Sequence, residues 1–305
     1  MPDWKYTVVC PALNEAKNLP LLIERIDQAM GDDAVQTDVL IVDDGSTDDS
    51  LAVLRPLVEA KPNVTVVVFE GNHGQTKALQ AGFDHARGER IVTIDSDLQM
   101  DPADIPRLIE KLEADGLDLV YLKKRYEGAP WIRRVSSRVA NGFRRAITKD
   151  TAKDVGSNYK VYRTNFFKGR NFGSGLHRFF TGFAEVEGYK LGWIEGAVAP
   201  RTAGFSNYTV LGRLRQGLPD MFYYALYRLP KTTVPRWLYG LFFAALVVAL
   251  LPIGSGWKLA LWAVIGFLFT TTLALLAHAL HLTVMRSRTP YVVREVWRDG
   301  VIPSA

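Results

Sequence analysis

The sequence predicts an α/β protein in which a mostly parallel sheet carries helices on both faces. Juxtamembrane amphipathic helices and two transmembrane helices are expected to follow the sheet. Three observations support this fold class. Strand-like and helix-like patterns alternate over residues 6–122, polar clusters follow the ends of the strand-like runs, and residues 235–285 are almost free of charge.

The predicted strands are short apolar runs rich in β-branched residues. They lie at residues 6–10, 38–42, 64–69, 90–94 and 117–122. Because each is separated from the next by a helical pattern, the strands are expected to run parallel in one sheet. Ligands bind at the carboxyl ends of the strands in such sheets, so we expect the functional site at that edge.

The first predicted helix follows from apolar side chains that recur at helical spacing, at Leu19, Leu22, Ile23, Ile26 and Met30. Further helices are predicted at residues 48–60, 75–86 and 101–113. The last of these begins with Asp101 as its N-cap and Pro102 at its first position.

Two charge-poor stretches, residues 235–253 and 259–285, are each long enough to cross a bilayer core of about 30 Å. Residues 211–234 mix apolar and basic side chains and are predicted to form amphipathic helices on the membrane surface. Basic residues flank the pair of spans on its outer sides, which predicts that both termini are cytosolic. Two buried helices of a soluble domain are the alternative.

These patterns divide the chain into four parts. Residues 1–210 are the predicted cytosolic catalytic domain, 211–234 the juxtamembrane helices, 235–285 the two spans and 286–305 a cytosolic tail. The protein is therefore expected in the cytoplasmic membrane. A chain that ends at Pro235 is expected to be soluble.

The charge and the cysteine content of the chain limit the kinds of partner and of metal site that are expected. The chain has 37 Lys and Arg against 32 Asp and Glu, a net charge of +5, which suits nucleic acid, anionic lipid or a phosphorylated substrate. The sequence contains no recognisable nucleic-acid-binding module, so nucleic acid is not expected as a partner. Its single cysteine, Cys10, excludes an intrachain disulfide and a metal site built from cysteines.

Acidic residues follow two of the predicted strands. Asp95 and Asp97 come directly after residues 90–94, where two carboxylates suit Mg²⁺ or Mn²⁺ together with the phosphate oxygens of a substrate. Asp43 and Asp44 follow residues 38–42, where the N–H groups of a base or the hydroxyls of a ribose would be suitable donors. Helix capping and Asx-turns are the structural alternatives.

Four motifs in this order carry a family resemblance: Pro-Ala-Leu-Asn-Glu at 11–15, Val-Asp-Asp-Gly-Ser-Thr-Asp at 42–48, Asn-His-Gly-Gln at 72–75 and Asp-Ser-Asp-Leu-Gln at 95–99. Together with Asp154-Val-Gly-Ser, His177-Arg178-Phe179 and the motif from Arg201 to Tyr208, they resemble GT-A nucleotide-sugar glycosyltransferases of the dolichol-phosphate-mannose synthase type. Bacterial undecaprenyl-phosphate glycosyltransferases are the most similar members. The family usually has Lys where this chain has Asn207.

The resemblance implies a metal-dependent, inverting transfer of a sugar from a nucleotide sugar, with UDP expected, to a polyprenyl phosphate in the membrane. It implies a nucleoside pocket at Pro11, Asn14, Glu15 and Asp43, and ribose and metal-diphosphate contacts at Asp95 and Asp97, with Gln99 beside the metal. It further implies that Arg201 and Ser206 hold the diphosphate, that Arg178 meets a phosphate, and that Asp154 is the acidic catalytic residue.

Other functions remain as alternatives at this stage. A processive polysaccharide synthase usually carries a Gln-x-x-Arg-Trp motif, which this sequence lacks. A glycolipid synthase would act on an acceptor without a phosphate. A non-catalytic membrane protein could use the same domain to bind nucleotide, although Asp95, Asp97 and Arg201 argue against it. Assembly into a homo-oligomer is left open.

Overall fold

The structure is a computed structural model that describes residues 4–125, 142, 151–154, 156–163, 166–170, 172, 175–199, 221, 224, 262, 264, 266–267, 269–271, 273 and 291–303. Its strands are β1 (Tyr6–Ala12), β2 (Thr37–Asp43), β3 (Val64–Phe69), β4 (Arg90–Thr93), β5 (Leu119–Arg125), β6 (Lys160–Tyr162), β7 (Leu191–Ala197) and β8 (Val293–Trp297). Its α-helices are α1 (Leu19–Met30), α2 (Ser50–Ala60), α3 (Gln75–His85), α4 (Ile105–Ala114) and α5 (Phe180–Val186). Short 3-10 helices lie at Gly31–Gln36, Pro102–Asp104 and Leu176–Phe179.

The described strands form one sheet in the order β7-β5-β6-β4-β1-β2-β3-β8. Strands β1 to β5 and β7 run in one direction, whereas β6 and β8 run against their neighbours. The predicted mostly parallel α/β sheet is therefore confirmed. Each of the five predicted strands and four predicted helices is present, with ends that differ by a few residues.

Helices cover both faces of the sheet, as the sequence predicts. Helices α1, α2 and α4 pack with one set of strand side chains, including Val8 and Cys10 of β1. Helices α3 and α5 pack with the opposite set, which includes Val9. Because side chains alternate between faces along a strand, β1 contributes to both cores and is apolar almost throughout.

Helix α3 approaches the centre of the sheet at a glycine. A Cβ atom at Gly82 would lie 2.1 Å from Cγ1 of Val9, closer than any real contact. The absence of a side chain at this position lets α3 lie against β1. The first turn of α3 therefore comes close to the carboxyl ends of β1 and β4.

Strands β6, β7 and β8 have no counterpart among the predicted elements. Strand β6 has only three residues and inserts between β4 and β5, antiparallel to both. Strand β7 contains two glycines, Gly192 and Gly196, and most of its residues are at least partly exposed, so its sequence lacks a clear apolar alternation. Neither gives a strong local signal, because their positions depend on pairing with distant strands.

The C-terminal segment belongs to the sheet. Strand β8 pairs antiparallel with β3, and the side chain of Trp297 is only 1% exposed. The ring of Tyr291 stacks on Phe69 with a centroid distance of 5.1 Å. Residues 286–305 were expected to form a tail, and a chain ending at Pro235 would lack this strand. We therefore no longer expect such a truncated chain to fold stably.

The predicted membrane region lies mostly outside the described residues. Residues 235–253 are wholly outside them, and only scattered helical positions from Trp262 to Leu273 are described in the second stretch. Where the structure describes the chain, no helix has both the length and the apolar character needed to cross a membrane. Of residues 211–234, only Met221 and Tyr224 are described, and Tyr224 is buried against Phe179.

Candidate active site

A cleft of about 390 Å³ opens at the carboxyl ends of β1, β2, β3 and β4. This is the edge of the sheet at which the sequence predicts the site. The residues that line it come from the four loops that follow these strands: Pro11, Ala12, Leu13, Glu15, Asp44, Asn72, Gly74, Gln75, Ala78, Asp95, Ser96 and Asp97.

The loop after β1 is fixed to the loop after β2 by Asn14. Its backbone N–H donates to Oγ of Ser46 at 2.9 Å, and its side-chain Oδ1 accepts from the backbone N–H of Thr47 at 2.8 Å. Asn14 has a positive φ of 57°, which asparagine tolerates better than most residues. The described contacts of Asn14 thus shape the predicted nucleoside pocket. Glu15 lines the cleft and accepts a bond from Asn18.

Asp44 fixes the loop after β3. Its carboxylate accepts bonds from the backbone N–H of His73 at 2.6 Å and of Gly74 at 2.9 Å. Burial raises the pKa of Asp44, while these two N–H groups oppose that shift. Next to it, Gly45 has a φ of +74°, and a Cβ there would lie 2.5 Å from the carbonyl carbon of Gly71. The two loops therefore pack backbone against backbone.

Asp43 is the buried acid of the pair. One of its oxygens, Oδ2, accepts from the backbone N–H of Ser46 at 3.1 Å. The other, Oδ1, is buried and has no hydrogen-bond partner among the described residues. Burial raises the pKa of Asp43, which means that the charged form is penalised in this position. An unsatisfied buried acceptor is costly, so a fold that keeps one beside a cleft is suited to a ligand that donates a bond.

Asp95 and Asp97 both line the cleft after β4. Oδ1 of Asp95 accepts from Nε2 of Gln75 at 2.8 Å and from Nδ2 of Asn158 at 3.2 Å. Oδ1 of Asp97 accepts from the backbone N–H of Gln99 at 3.2 Å. The turn also contains Leu98 at a φ of 56°, a conformation unusual for leucine that marks a constrained backbone.

These carboxylates fit a divalent cation that binds together with a diphosphate. Mg²⁺ is commonly held by one or two carboxylates, with water and substrate phosphate supplying its other oxygen ligands. Within the described ranges, no three His, Cys, Asp or Glu side chains come together as a metal site of their own. Asp95 and Asp97 would therefore need phosphate oxygens from the nucleotide. Gln99 contributes its backbone N–H to the turn, and it is absent from the cleft lining.

The remaining predicted residues lie beyond the cleft lining or outside the described part of the chain. Asp154 follows β5 and accepts bonds from the backbone N–H of Lys124 at 3.1 Å and of Gly156 at 3.0 Å. Arg178 lies in the 3-10 helix before α5. Arg201 and Ser206 lie outside the described residues.

Two buried residues beside the site were given no role by the sequence analysis. Lys160 of β6 is 1% exposed, and its ammonium donates to the carbonyl of Ser157. Burial lowers the pKa of Lys160 to about 7, although the charges of Asp95 and Asp154 partly oppose the shift. The sequence contains one indication that Lys160 is buried. Lys160 lies in a short strand-like run between Tyr159 and Val161, where the alternation of side chains places it on a buried face.

His177, which the sequence analysis names only as part of the His177-Arg178-Phe179 motif, is the second of these residues. Its Nδ1 lies 2.8 Å from Oγ1 of Thr76, and the same oxygen accepts from the backbone N–H of Gly175 at 2.9 Å. The hydroxyl of Thr76 can donate to Nδ1 or accept from it, depending on which ring nitrogen carries the hydrogen. Burial, reinforced by Arg178 and Lys160, lowers the pKa of His177 to about 3, in agreement with a neutral ring.

The chain is similar in sequence to known proteins. An undecaprenyl-phosphate 4-deoxy-4-formamido-L-arabinose transferase of Klebsiella pneumoniae (strain 342) is 37% identical over 163 residues, which cover 53% of this chain and 50% of that protein. A dodecaprenyl-phosphate galacturonate synthase of Rhizobium johnstonii is 34% identical over 209 residues, covering 67% of this chain and 62% of that protein. The chain thus spans between half and two thirds of the length of these relatives.

Solved structures share the fold. Glucosyl-3-phosphoglycerate synthase from Mycobacterium tuberculosis, in complex with Mn²⁺, UDP and phosphoglyceric acid, superposes with a TM-score of 0.56 and 21% identity over 76% of this chain and 80% of that chain. The same enzyme with Mg²⁺ and UDP gives a TM-score of 0.56 at 20% identity, over 76% of this chain and 81% of that chain. Residues 7–174 match the family model described as Glycosyl transferase family 2. Because this match covers more than half of the chain and the sheet has the expected GT-A form, the chain belongs to glycosyl transferase family 2.

Proposed function

We propose that the protein transfers a sugar from a nucleotide diphosphate sugar, with UDP as the nucleotide, to a polyprenyl phosphate at the cytoplasmic face of a membrane. The observation that carries the proposal is the cleft at the carboxyl ends of the parallel strands, which the carboxylates of Asp95 and Asp97 line. Asp43 is outside the cleft lining but ends β2 at the same edge of the sheet, and its buried Oδ1 has no partner among the described residues. The Asp43 oxygen suits a base that donates N–H, and the carboxylates of Asp95 and Asp97 suit a cation-bound diphosphate.

The donor half of the reaction needs the charge of the leaving diphosphate to be stabilised. Asp95 and Asp97 would hold Mg²⁺ or Mn²⁺, and the cation when bound would act as a Lewis acid on the diphosphate oxygens. Pro11, Glu15 and the loop fixed by Asn14 would enclose the nucleoside. Arg201 and Ser206 are proposed as further diphosphate contacts on the basis of the family motif. Solved structures of the same fold, named as complexes with UDP and Mn²⁺ or Mg²⁺, support this assignment.

The acceptor half is supported by the names of the relatives, which specify undecaprenyl or dodecaprenyl phosphate. The second pKa of a phosphate ester is about 6, so the attacking oxygen is largely charged at neutral pH and needs no strong base. Asp154 uses both carboxylate oxygens to accept backbone N–H bonds, which favours a role in shaping the acceptor side. Arg178, next to the buried His177, would meet a phosphate, and inversion at the sugar carbon follows from a single displacement.

The membrane part of the proposal keeps two spans, at residues 235–253 and 259–285. Tyr224 before them is buried against Phe179, and β8 after them pairs with β3, so both flanks of this stretch contact the same domain. A chain that leaves and returns to one domain crosses a bilayer an even number of times. Trp262, Phe269 and Leu273 have 72%, 68% and 50% of their surfaces exposed, as expected for side chains that face lipid. Both termini would then be cytosolic.

A donor panel tests the proposal. The purified full-length chain is incubated with undecaprenyl phosphate in detergent, Mg²⁺ or Mn²⁺, and UDP-, GDP- or dTDP-sugars. We expect transfer from a UDP-sugar, loss of transfer in EDTA, and recovery when the cation is restored. Asp97→Asn should abolish transfer, whereas Asp49→Asn, an exposed acid without a side-chain capping bond, should not. Full activity in EDTA would overturn the metal assignment. Nucleotide binding without transfer from any donor would favour the non-catalytic alternative.

A further inference from the structure

One oxygen of Asp95 is held by two side-chain amides that come from distant parts of the chain. Gln75 is the first residue of α3, and its Nε2 lies 2.8 Å from Oδ1 of Asp95. Asn158 precedes β6, and its Nδ2 lies 3.2 Å from the same oxygen. Both amides therefore bind Oδ1, and neither has a described bond to Oδ2.

The two donors are themselves fixed by their surroundings. The backbone of α3 at Gln75 follows Gly74, whose N–H is bound by the carboxylate of Asp44. Asn158 is 6% exposed, and its carbonyl accepts from the buried hydroxyl of Thr93, the last residue of β4. The amides thus connect the loop after β3 and the start of β6 to the carboxylate that follows β4.

An amide is suited to this role because it donates a hydrogen bond without adding charge. A lysine or arginine at either position would neutralise Asp95 and weaken its attraction for a cation. The amides instead restrict rotation of the carboxylate while its negative charge is retained. A carboxylate that is already ordered loses less conformational entropy when the cation binds, which lowers the entropic cost of binding.

We propose that Gln75 and Asn158 are positioning residues that hold Oδ1 of Asp95, so that this carboxylate offers only Oδ2 to the divalent cation. The inference rests on the proposed function, because it requires the cation to bind at Asp95 and Asp97. The inference also predicts which divalent cation the site prefers. Mg²⁺ demands near-ideal octahedral geometry, whereas the larger Ca²⁺ accepts carboxylates with one or two oxygens. A carboxylate restricted to one oxygen favours the smaller cation.

Direct cation binding tests the inference without an activity readout. Mn²⁺ binding to the full-length chain is measured by electron paramagnetic resonance in the presence of UDP, with competition by Ca²⁺. The variants are Gln75→Met, Asn158→Ala and the pair. Loss of a residue that orients a metal ligand typically weakens binding about 10-fold to 100-fold. We expect each single variant to raise the Mn²⁺ Kd about 10-fold, and to make Ca²⁺ a better competitor.

Matched controls separate positioning from general stability. Gln80 lies on the same helix and donates to Asp84 away from the cleft, and Asn63 donates to Asp27. Gln80→Met and Asn63→Ala should leave the Mn²⁺ Kd unchanged, even where they lower the unfolding temperature. Gln75 is exposed, so its variant is expected to fold. Unchanged Mn²⁺ affinity and Ca²⁺ competition in Gln75→Met and Asn158→Ala would overturn the inference. Failure of the wild type to bind Mn²⁺ with UDP would instead overturn the metal part of the proposed function, and this inference with it.

Discussion

Removal of the Trp297 side chain tests whether the C-terminal strand is part of the folded domain. Trp297 is 1% exposed, lies opposite Val66 in the pairing of β8 with β3, and has the guanidinium of Arg55 over its ring at 5.1 Å. Truncation of a buried tryptophan to alanine costs about 3–5 kcal/mol, from lost transfer free energy and the cavity left behind. That is a large share of the roughly 5–15 kcal/mol that stabilises a typical domain.

For a domain of this size, such a loss lowers the unfolding temperature by roughly 6–20 °C. Trp297→Ala is compared with Val301→Ala, whose side chain is 66% exposed and whose truncation should change stability by less than about 0.5 kcal/mol. Both variants of the full-length chain are followed by calorimetry. Deletion of residues 291–305 should prevent stable folding altogether, because it also leaves the edge of β3 unpaired. Equal unfolding temperatures for Trp297→Ala and Val301→Ala would refute the assignment of β8 to the core.

Three further outcomes are expected. Asp43→Asn should weaken UDP binding, measured by calorimetric titration, about 10-fold to 100-fold, which is the range for a lost hydrogen bond to a charged group. The stability of the protein should not fall, because burial already raises the pKa of Asp43. Unchanged affinity for UDP would show that Asp43 does not contact the nucleotide. The pKa of His177 is about 3 when folded and 6.5 ordinarily, so the unfolded chain binds that proton more readily and stability declines as pH falls below 6.5. About 1.4 kcal/mol of this decline should occur between pH 7.5 and 5.5 and be absent in His177→Gln; identical pH slopes by urea titration would contradict it. Reporter fusions should report both termini in the cytosol, and an outward C-terminus would exclude two spans.

The parts of the fold that could be predicted are those with local signals. Helix α1 follows from the spacing of Leu19 to Met30, and β3 from an unbroken run of β-branched residues. The edge of the sheet at which the cleft opens could be predicted because parallel strands bring their carboxyl ends together, and Asp95 and Asp97 line that cleft. These predictions needed no knowledge of distant pairing.

The parts that could not be predicted depend on contacts between distant segments. Strand β8 is short and follows the predicted membrane region, so nothing near it indicates that it pairs with β3. The roles of Gln75 and Asn158 arise only after β6 inserts beside β4. Asn14 is predicted for the nucleoside pocket, and the structure adds that its side chain holds the neighbouring loop, a contact that requires the turn after β2 to be in place.

The identity of the acceptor tests the central claim most directly. The full-length protein is given the same UDP-sugar and cation with either undecaprenyl phosphate or undecaprenol, and product is measured by mass spectrometry. If the attacking atom is a phosphate oxygen, transfer should occur only with the phosphate, because that oxygen carries its own negative charge at neutral pH. Efficient glycosylation of the neutral alcohol would contradict the account and indicate a glycolipid synthase.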